Sequence, residues 1–185
     1  MIYIGIDPSI NSTGLTVIDG DKQYFYIIKP NKLTKAEESC QHDFANLNYV
    51  LYQKEAINKD DKYWRKEQIK LNNFLNIVKK IKEIINSFDG IKKVVMEGVA
   101  YGSKSNNLVD LAGLNYLLRE ALTDTDLYIC SPSEVKKFAS GNGNCGKQVM
   151  VNLFTGIYPE FAVLPKVDDI SDSFFMAKLS QKSLN

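Results

Sequence analysis

The sequence predicts an α/β fold in which helices flank both faces of a mixed five-stranded sheet. Three apolar, β-branched segments at 2–7, 14–19 and 24–29 are joined by short turn-rich stretches, a pattern typical of an antiparallel meander. From residue 68 onward, segments with helical periodicity alternate with strand-like segments. The chain has 185 residues, of which 44% are hydrophobic, so it can form one domain with a substantial core.

The elements after the meander are predicted from apolar spacing and from helix start signals. In chain order they are a helix over 68–88, a strand over 91–99, a helix over 106–122, a strand over 126–130, a helix over 131–139, a helix from about Lys147 and a helix over 167–181. The start at Ser131 is the clearest, because a serine cap is followed by Pro132 and by Glu134. A meander followed by this alternation is the order of the ribonuclease H-like fold.

Residues 31–66 interrupt this pattern. They are polar, charged and poorly periodic, and KEAINKDDKYWRKEQ is their clearest charged block. We therefore predict a single domain over 1–185 with an extra helical or loop insertion at about 31–66.

The composition excludes several classes of protein and of site. No apolar run is long enough to span a bilayer, and the N-terminus lacks a signal-peptide layout, which predicts a soluble cytoplasmic protein without a membrane partner. Three scattered cysteines and one histidine argue against a disulfide framework and a zinc site. A metal would need oxygen ligands, which favours Mg²⁺ or Mn²⁺. The net charge of +1 says little about nucleic acid.

Two acidic residues lie at the ends of predicted buried strands. Asp7 ends the first strand, and Glu97 directly follows the β-branched segment of the fourth. Ionised carboxylates are rarely left beside a buried layer without a partner. Taken alone, each has a simpler explanation: Asp7 can cap the following turn, and Glu97 can be a surface residue at a strand end.

Three further acids open the last predicted helix. Asp168, Asp169 and Asp172 can act as caps, because acids in a first turn favour the helix dipole. Asp169 and Asp172 are three residues apart and share one side of the helix, where their charges repel. A bound divalent cation would remove that repulsion.

Considered together, these acids predict a metal centre. In the ribonuclease H-like order, the strands that carry Asp7 and Glu97 are neighbours, and the helix that carries Asp169 and Asp172 packs beside them. Four carboxylates without histidine or cysteine suit two Mg²⁺ (or Mn²⁺) ions, which can activate a water and stabilise the leaving oxygen of a phosphodiester.

The sequence resembles the RuvC family of Holliday-junction resolvases in four motifs. GIDPSINSTG resembles the family's first-strand motif, in which Asp7 is the metal-binding aspartate, and VVMEGVA resembles the strand with the second acid, Glu97. DISDSFFMA resembles the final motif, which assigns Asp169 and Asp172 and leaves Asp168 as a flanking residue or cap. Four such motifs in order are specific, although each is modest alone.

The fourth motif concerns lysines. VKKFASGNGNCGKQV resembles the family segment in which two lysines bracket a glycine-containing loop, and the spacing fits Lys136 and Lys147. The resemblance implies that they contact the DNA backbone and support catalysis, with Lys147 stabilising charge at the scissile phosphate. The alternative is a pair of solvent-exposed lysines, the usual position of this residue type.

The resemblance covers roughly 2–30 and 90–181 and has departures. Residues 31–66 have no counterpart in it, and compact members from phages of low-GC Gram-positive bacteria look most similar. Bacterial members carry an aromatic wedge after the second acid, a position that falls here at Ala100, beside Tyr101. Tyr101 either stacks on an unpaired base at a branch point or packs within its loop.

The resemblance implies an endonuclease that cuts four-way and related three-way DNA junctions, in recombination or in the processing of replication or packaging intermediates. A phage-encoded member would act in the host cytoplasm. A four-way junction has two-fold symmetry, so a homodimer is expected, with the helix at 106–122 either in the dimer face or in the core. The expected DNA-binding residues are Tyr101, Lys104, Lys136, Lys137 and Lys147.

Other functions stay open at this stage. A nuclease of the same fold can cut flaps or RNA–DNA hybrids, and a non-catalytic relative can bind branched DNA. An actin-like or sugar-kinase-like ATPase also begins with an aspartate-bearing strand, but it needs a duplicated core for which 185 residues leave little room.

Overall fold

The computed structural model describes residues 1–99 and 107–183 of the chain. The predicted meander is present, with β1 at Ile2–Asp7, β2 at Thr13–Asp19 and β3 at Lys22–Pro30 in antiparallel pairing. The other strands are β4 at Leu47–Tyr52, β5 at Lys92–Glu97 and β6 at Asp126–Cys130. The helices are α1 at Lys35–Asp43, α2 at Tyr63–Asn86, α3 at Leu108–Ala121, α4 at Pro132–Ser140, α5 at Lys147–Ile157, a short 3-10 helix at Pro159–Val163 and α6 at Val167–Ser183.

The sheet is mixed and has the strand order β4-β3-β2-β1-β5-β6. It therefore contains six strands, and the prediction of five was wrong. The additional strand is β4, which pairs in parallel with β3 and comes from the segment at 31–66 that the sequence left without a strand. A parallel edge strand is stabilised by its neighbour, so its own sequence carries a weak signal.

The inserted helix α1 is attached to the sheet through a buried carboxylate. Thr34 caps the helix in a capping box with Glu37. Glu37 is only 3% exposed and accepts hydrogen bonds from the Lys29 ammonium group at 2.5 and 2.6 Å. The capping box was the local signal for this helix, because a threonine followed three residues later by glutamate typically starts one.

The sheet has a hydrophobic core on each face, as predicted. One core lies under α2 and α3 and contains the strand residues Ile4 and Ile6. The other lies under α4, α5 and α6 and is rich in aromatic rings that meet edge to face around Phe25. Alternation along β1 turns Gly5 and Asp7 toward the α6 face. None of the helices within the described ranges is both long and apolar enough to cross a membrane.

Candidate active site

Asp7 and Glu97 lie side by side at one end of the sheet. β1 and β5 are parallel, and Ile6 pairs with Met96. Asp7 and Glu97 are the next residues of the two strands, so they lie next to each other. Their side chains point to the same face, and the two carboxyl groups are close enough to influence each other's pKa. Both are only partly exposed.

Helix α6 reaches these acids because two glycines let it lie directly on the sheet. A Cβ atom on Gly5 would lie 1.9 Å from the carbonyl oxygen of Ser173, and one on Gly14 would lie 2.0 Å from that of Asp169. No side chain fits in that space. The first two turns of α6, which carry Asp169 and Asp172, are thereby held against the ends of β1 and β2.

Short polar contacts fix the helix at this position. The Ser12 hydroxyl donates to the Asp169 carboxylate at 2.5 Å. One turn further along α6, the buried Ser173 and Thr16 hydroxyls lie 2.9 Å apart in a hydrogen bond. Ser12 is a site residue that the sequence reasoning missed, although its place in the turn after Asp7 was visible.

The pKa values of all four carboxyl groups are raised, first by burial and then by neighbouring negative charges. Burial, followed by the charges of Glu97, Asp172 and Asp169, holds the pKa of Asp7 well above its usual range. Burial and then the charge of Asp172 raise the pKa of Glu97 to about 7. Burial also raises the pKa of Asp172 to about 6, against the opposing charge of Lys147, and raises the pKa of Asp169. The acids therefore form one electrostatic cluster.

The donor chemistry of this cluster fits a divalent cation. Carboxylate oxygens are the ligands that Mg²⁺ and Mn²⁺ favour, and clustered negative charge is what such an ion neutralises. Within residues 1–99 and 107–183, no three carboxyl, thiol or imidazole groups lie close enough to enclose a metal as they stand. Side-chain rotations on α6 and β5 would have to bring the oxygens onto a common ion.

The predicted lysines approach the same cluster from α4 and α5. Lys147 is the first residue of α5 and forms an ion pair with Asp168, so the flanking aspartate has a partner of its own. The charge of Lys136, on α4, lowers the pKa of Glu97 and of Asp172. Lys137 is exposed on the same helix. The predicted contacts Tyr101 and Lys104 lie outside the described residues.

A second chain of hydrogen bonds supports Glu97 from α3. The buried Asn115 amide donates to the Glu97 carbonyl oxygen at 2.8 Å, and Arg119 Nε donates to Asn115 Oδ1 at 2.8 Å. The sequence reasoning missed both residues. The available signal was a polar asparagine among the leucines of this helix, since a buried polar group needs a partner.

The pKa of Glu97 gives a prediction for the metal-free protein. Glu97 has a pKa of about 7 in the folded state against a reference value of 4.5, so the folded state retains its proton to higher pH. Folding stability therefore falls as pH rises through this window, and Glu97→Gln should remove the loss. In urea titrations with EDTA, we expect the variant to be more stable than wild type by on the order of 2–3 kcal/mol at pH 8 and by little below pH 4.5.

The matched control for Glu97→Gln is Glu120→Gln, at an exposed position on α3. That variant should match wild type at both pH values within about 0.5 kcal/mol. A Glu97→Gln protein that is no more stable than wild type at pH 8 would show that the pKa of Glu97 is not raised in the folded state.

Solved structures share this fold. The Thermus thermophilus RuvC structure matches with a TM-score of 0.57 and 16% identity, covering 96% of this chain and 91% of that one. The T. thermophilus RuvC structure in complex with Holliday junction substrate matches with a TM-score of 0.57 and 17% identity, covering 96% and 90%. No protein-family model matches the sequence, and neither does any curated protein. The predicted ribonuclease H-like fold is thus confirmed, in its RuvC-like form and with six strands.

Proposed function

We propose that this protein is a metal-dependent, structure-selective endonuclease that resolves four-way DNA junctions and cuts related branched DNA, including three-way junctions. The observation that carries the proposal is the electrostatic cluster of Asp7, Glu97, Asp169 and Asp172, which three distant segments bring to one end of the sheet. The similarity of the fold to a RuvC bound to Holliday junction substrate supports the choice of DNA. The protein would act in recombination or on intermediates of replication or packaging. It would work in the cytoplasm, which for a phage-encoded protein is the cytoplasm of the host cell.

The four acids Asp7, Glu97, Asp169 and Asp172 would hold two Mg²⁺ (or Mn²⁺) ions. When bound, such ions activate a water for in-line attack and stabilise the leaving oxygen, which leaves 5′-phosphate and 3′-hydroxyl ends. The chain supplies the geometry: Ser12 orients Asp169, and Asn115 holds the backbone at Glu97. Rapid cleavage requires these groups to be fixed before DNA binds.

DNA would lie along the lysines beside the acids. Lys136 and Lys137 on α4 and Lys147 on α5 would neutralise phosphates, and Lys147 would exchange its ion pair with Asp168 for the scissile phosphate. Lys104 and Tyr101 would extend this surface, with Tyr101 at the branch point. A homodimer would place two such sites on the two-fold symmetric junction.

The test is a panel of labelled DNAs at equal concentration: a four-way junction, a three-way junction, a 5′ flap, an RNA–DNA hybrid and a linear duplex. In Mg²⁺ we expect paired, symmetric nicks in the four-way junction, cleavage of the three-way junction, and an intact linear duplex. Preferential cutting of the flap or the hybrid would instead indicate another nuclease activity of this fold. Junction binding without cutting in Mg²⁺ or Mn²⁺ would indicate a non-catalytic module.

A further inference from the structure

The segment inserted at 31–66 contacts the loop that follows Asp7. This loop, residues 8–12, is here named the Asp7 loop, and it joins Asp7 to Ser12, the partner of Asp169. Its movement would therefore displace two of the four acids at once. The loop is at the upper end of the usual length of a hairpin connection, so an external contact matters for its position.

Strand β4 provides that contact through its last residue. The Tyr52 hydroxyl donates to the Ile10 carbonyl oxygen at 2.9 Å, across 42 residues of sequence. Tyr52 is only 5% exposed, and burial raises the pKa of its hydroxyl to about 12, so it stays protonated and available as a donor. The bond is part-buried, and breaking it would leave the buried Tyr52 hydroxyl without its partner, which favours the bonded geometry.

Two residues further along the chain, Lys54 makes a second contact. Its ammonium group donates to Asn11 Oδ1 at 2.7 Å, and its backbone N–H donates to Asn31 Oδ1 at 3.1 Å. Asn31 in turn donates its backbone N–H to the Tyr52 carbonyl oxygen at 2.9 Å. The ends of β3 and β4 are thus tied together and fastened to the Asp7 loop at two successive residues.

Most of the loop's own hydrogen bonds lie at its base, and its middle has a long one, from the Asn11 N–H to Ser9 Oγ at 3.4 Å. Ser9 and Thr13 bond each other, with the Ser9 N–H donating to Thr13 Oγ1 at 3.1 Å and Thr13 Oγ1 donating to the Ser9 carbonyl oxygen at 2.8 Å. These bonds close the base of the loop. Ile10 and Asn11, at its tip, are bonded to the inserted segment.

We infer that Tyr52 is a positioning residue for the metal centre: the inserted strand clamps the Asp7 loop and so sets the separation between Asp7 and the Ser12–Asp169 pair. The inference rests on the proposed function, and it assigns a role to part of a segment that the sequence left without one. Lys54 assists by holding Asn11.

The test compares two tyrosines of the same strand. Tyr52→Phe removes only the hydroxyl that bonds Ile10, whereas Tyr49→Phe removes a buried hydroxyl that has no hydrogen-bond partner among the described residues. Tyr49 belongs to the core on the opposite face of the sheet from Tyr52. Both variants therefore remove one hydroxyl from a buried tyrosine. Only Tyr52→Phe removes the hydrogen bond to the Asp7 loop.

Three readouts separate positioning from general stability. In metal-free protein, hydrogen exchange of peptides that contain residues 9–13 should be roughly fivefold faster in Tyr52→Phe, the effect of losing one hydrogen bond. The Mn²⁺ concentration for half-saturation should rise by a similar factor, about fivefold, together with the Mg²⁺ concentration for half-maximal cleavage. Junction affinity, measured in EDTA, should be unchanged. Tyr49→Phe should match wild type in all three.

Each outcome bears on the inference. Exchange and Mn²⁺ affinity that are equal in Tyr52→Phe and Tyr49→Phe would overturn it. Faster exchange throughout the chain in Tyr52→Phe, including peptides of β5 and β6, would also overturn it, because the hydroxyl would then support the fold in general. Faster local exchange in Tyr52→Phe, combined with a wild-type protein that cuts no DNA in the panel, would refute the proposed function and leave the clamp as a structural feature.

Discussion

Asp7→Asn is expected to lower cleavage of a four-way junction by at least about a thousandfold and to leave junction affinity within about threefold of wild type. The amide keeps the size of the side chain but removes the negative charge from the acid that lies among the other three. Without it, two adjacent cations would lack one of their ligands. Affinity depends chiefly on the lysines and phosphates, so it should persist.

Asp126→Asn is the matched control for this experiment. Asp126 is also an aspartate at the end of a strand, but it is exposed and begins β6 at the opposite end of the sheet from Glu97. The cleavage rate is measured under single-turnover conditions at saturating Mg²⁺, and the junction affinity is measured by a filter-binding titration in EDTA. Magnesium-dependent cleavage by Asp7→Asn at the wild-type rate would refute the assignment of the metal centre.

Gly5→Ala is expected to destabilise the protein by about 3 kcal/mol or more, the largest stability effect of any substitution considered. The new methyl group would lie 1.9 Å from the Ser173 carbonyl oxygen and 2.4 Å from the Ala177 nitrogen, both backbone atoms of α6. Neither atom can rotate away, so the helix has to move off the sheet. The same movement would withdraw Asp169 and Asp172 from Asp7, and junction cleavage should be lost as well.

A change of glycine to alanine at position 113 is expected to have the opposite effect on stability. Gly113 lies within α3, where the nearest atom to an added methyl is Phe74 Cε2 at 3.5 Å, an ordinary contact. Alanine favours a helix over glycine by roughly 1 kcal/mol, so this variant should equal or exceed wild-type stability. Urea unfolding of both variants at one pH measures the contrast. A Gly5→Ala protein as stable as wild type would show that α6 does not depend on close approach to β1.

The sequence predicted most elements because their apolar periodicity is local. The strand at Asp126–Cys130 has the predicted bounds, and α4 begins directly after the predicted cap at Ser131. Helix α2 begins five residues earlier than expected, at Tyr63, because its first turns are exposed and carry no apolar stripe. Strand β4 was missed because it is held by its pairing with β3 rather than by its own pattern.

The sequence by itself determined the chemical identity of the candidate site, which consists of carboxylates at strand ends and at a helix start. Those positions can be predicted because strand ends and helix starts depend on neighbouring residues along the chain. The tertiary structure decided how those acids meet. The approach of α6 at Gly5 and Gly14, the Ser12–Asp169 bond and the Tyr52 clamp join residues that are between 42 and 172 positions apart. Contacts over such separations depend on how the sheet and helices pack, and local residue patterns carry no record of that packing.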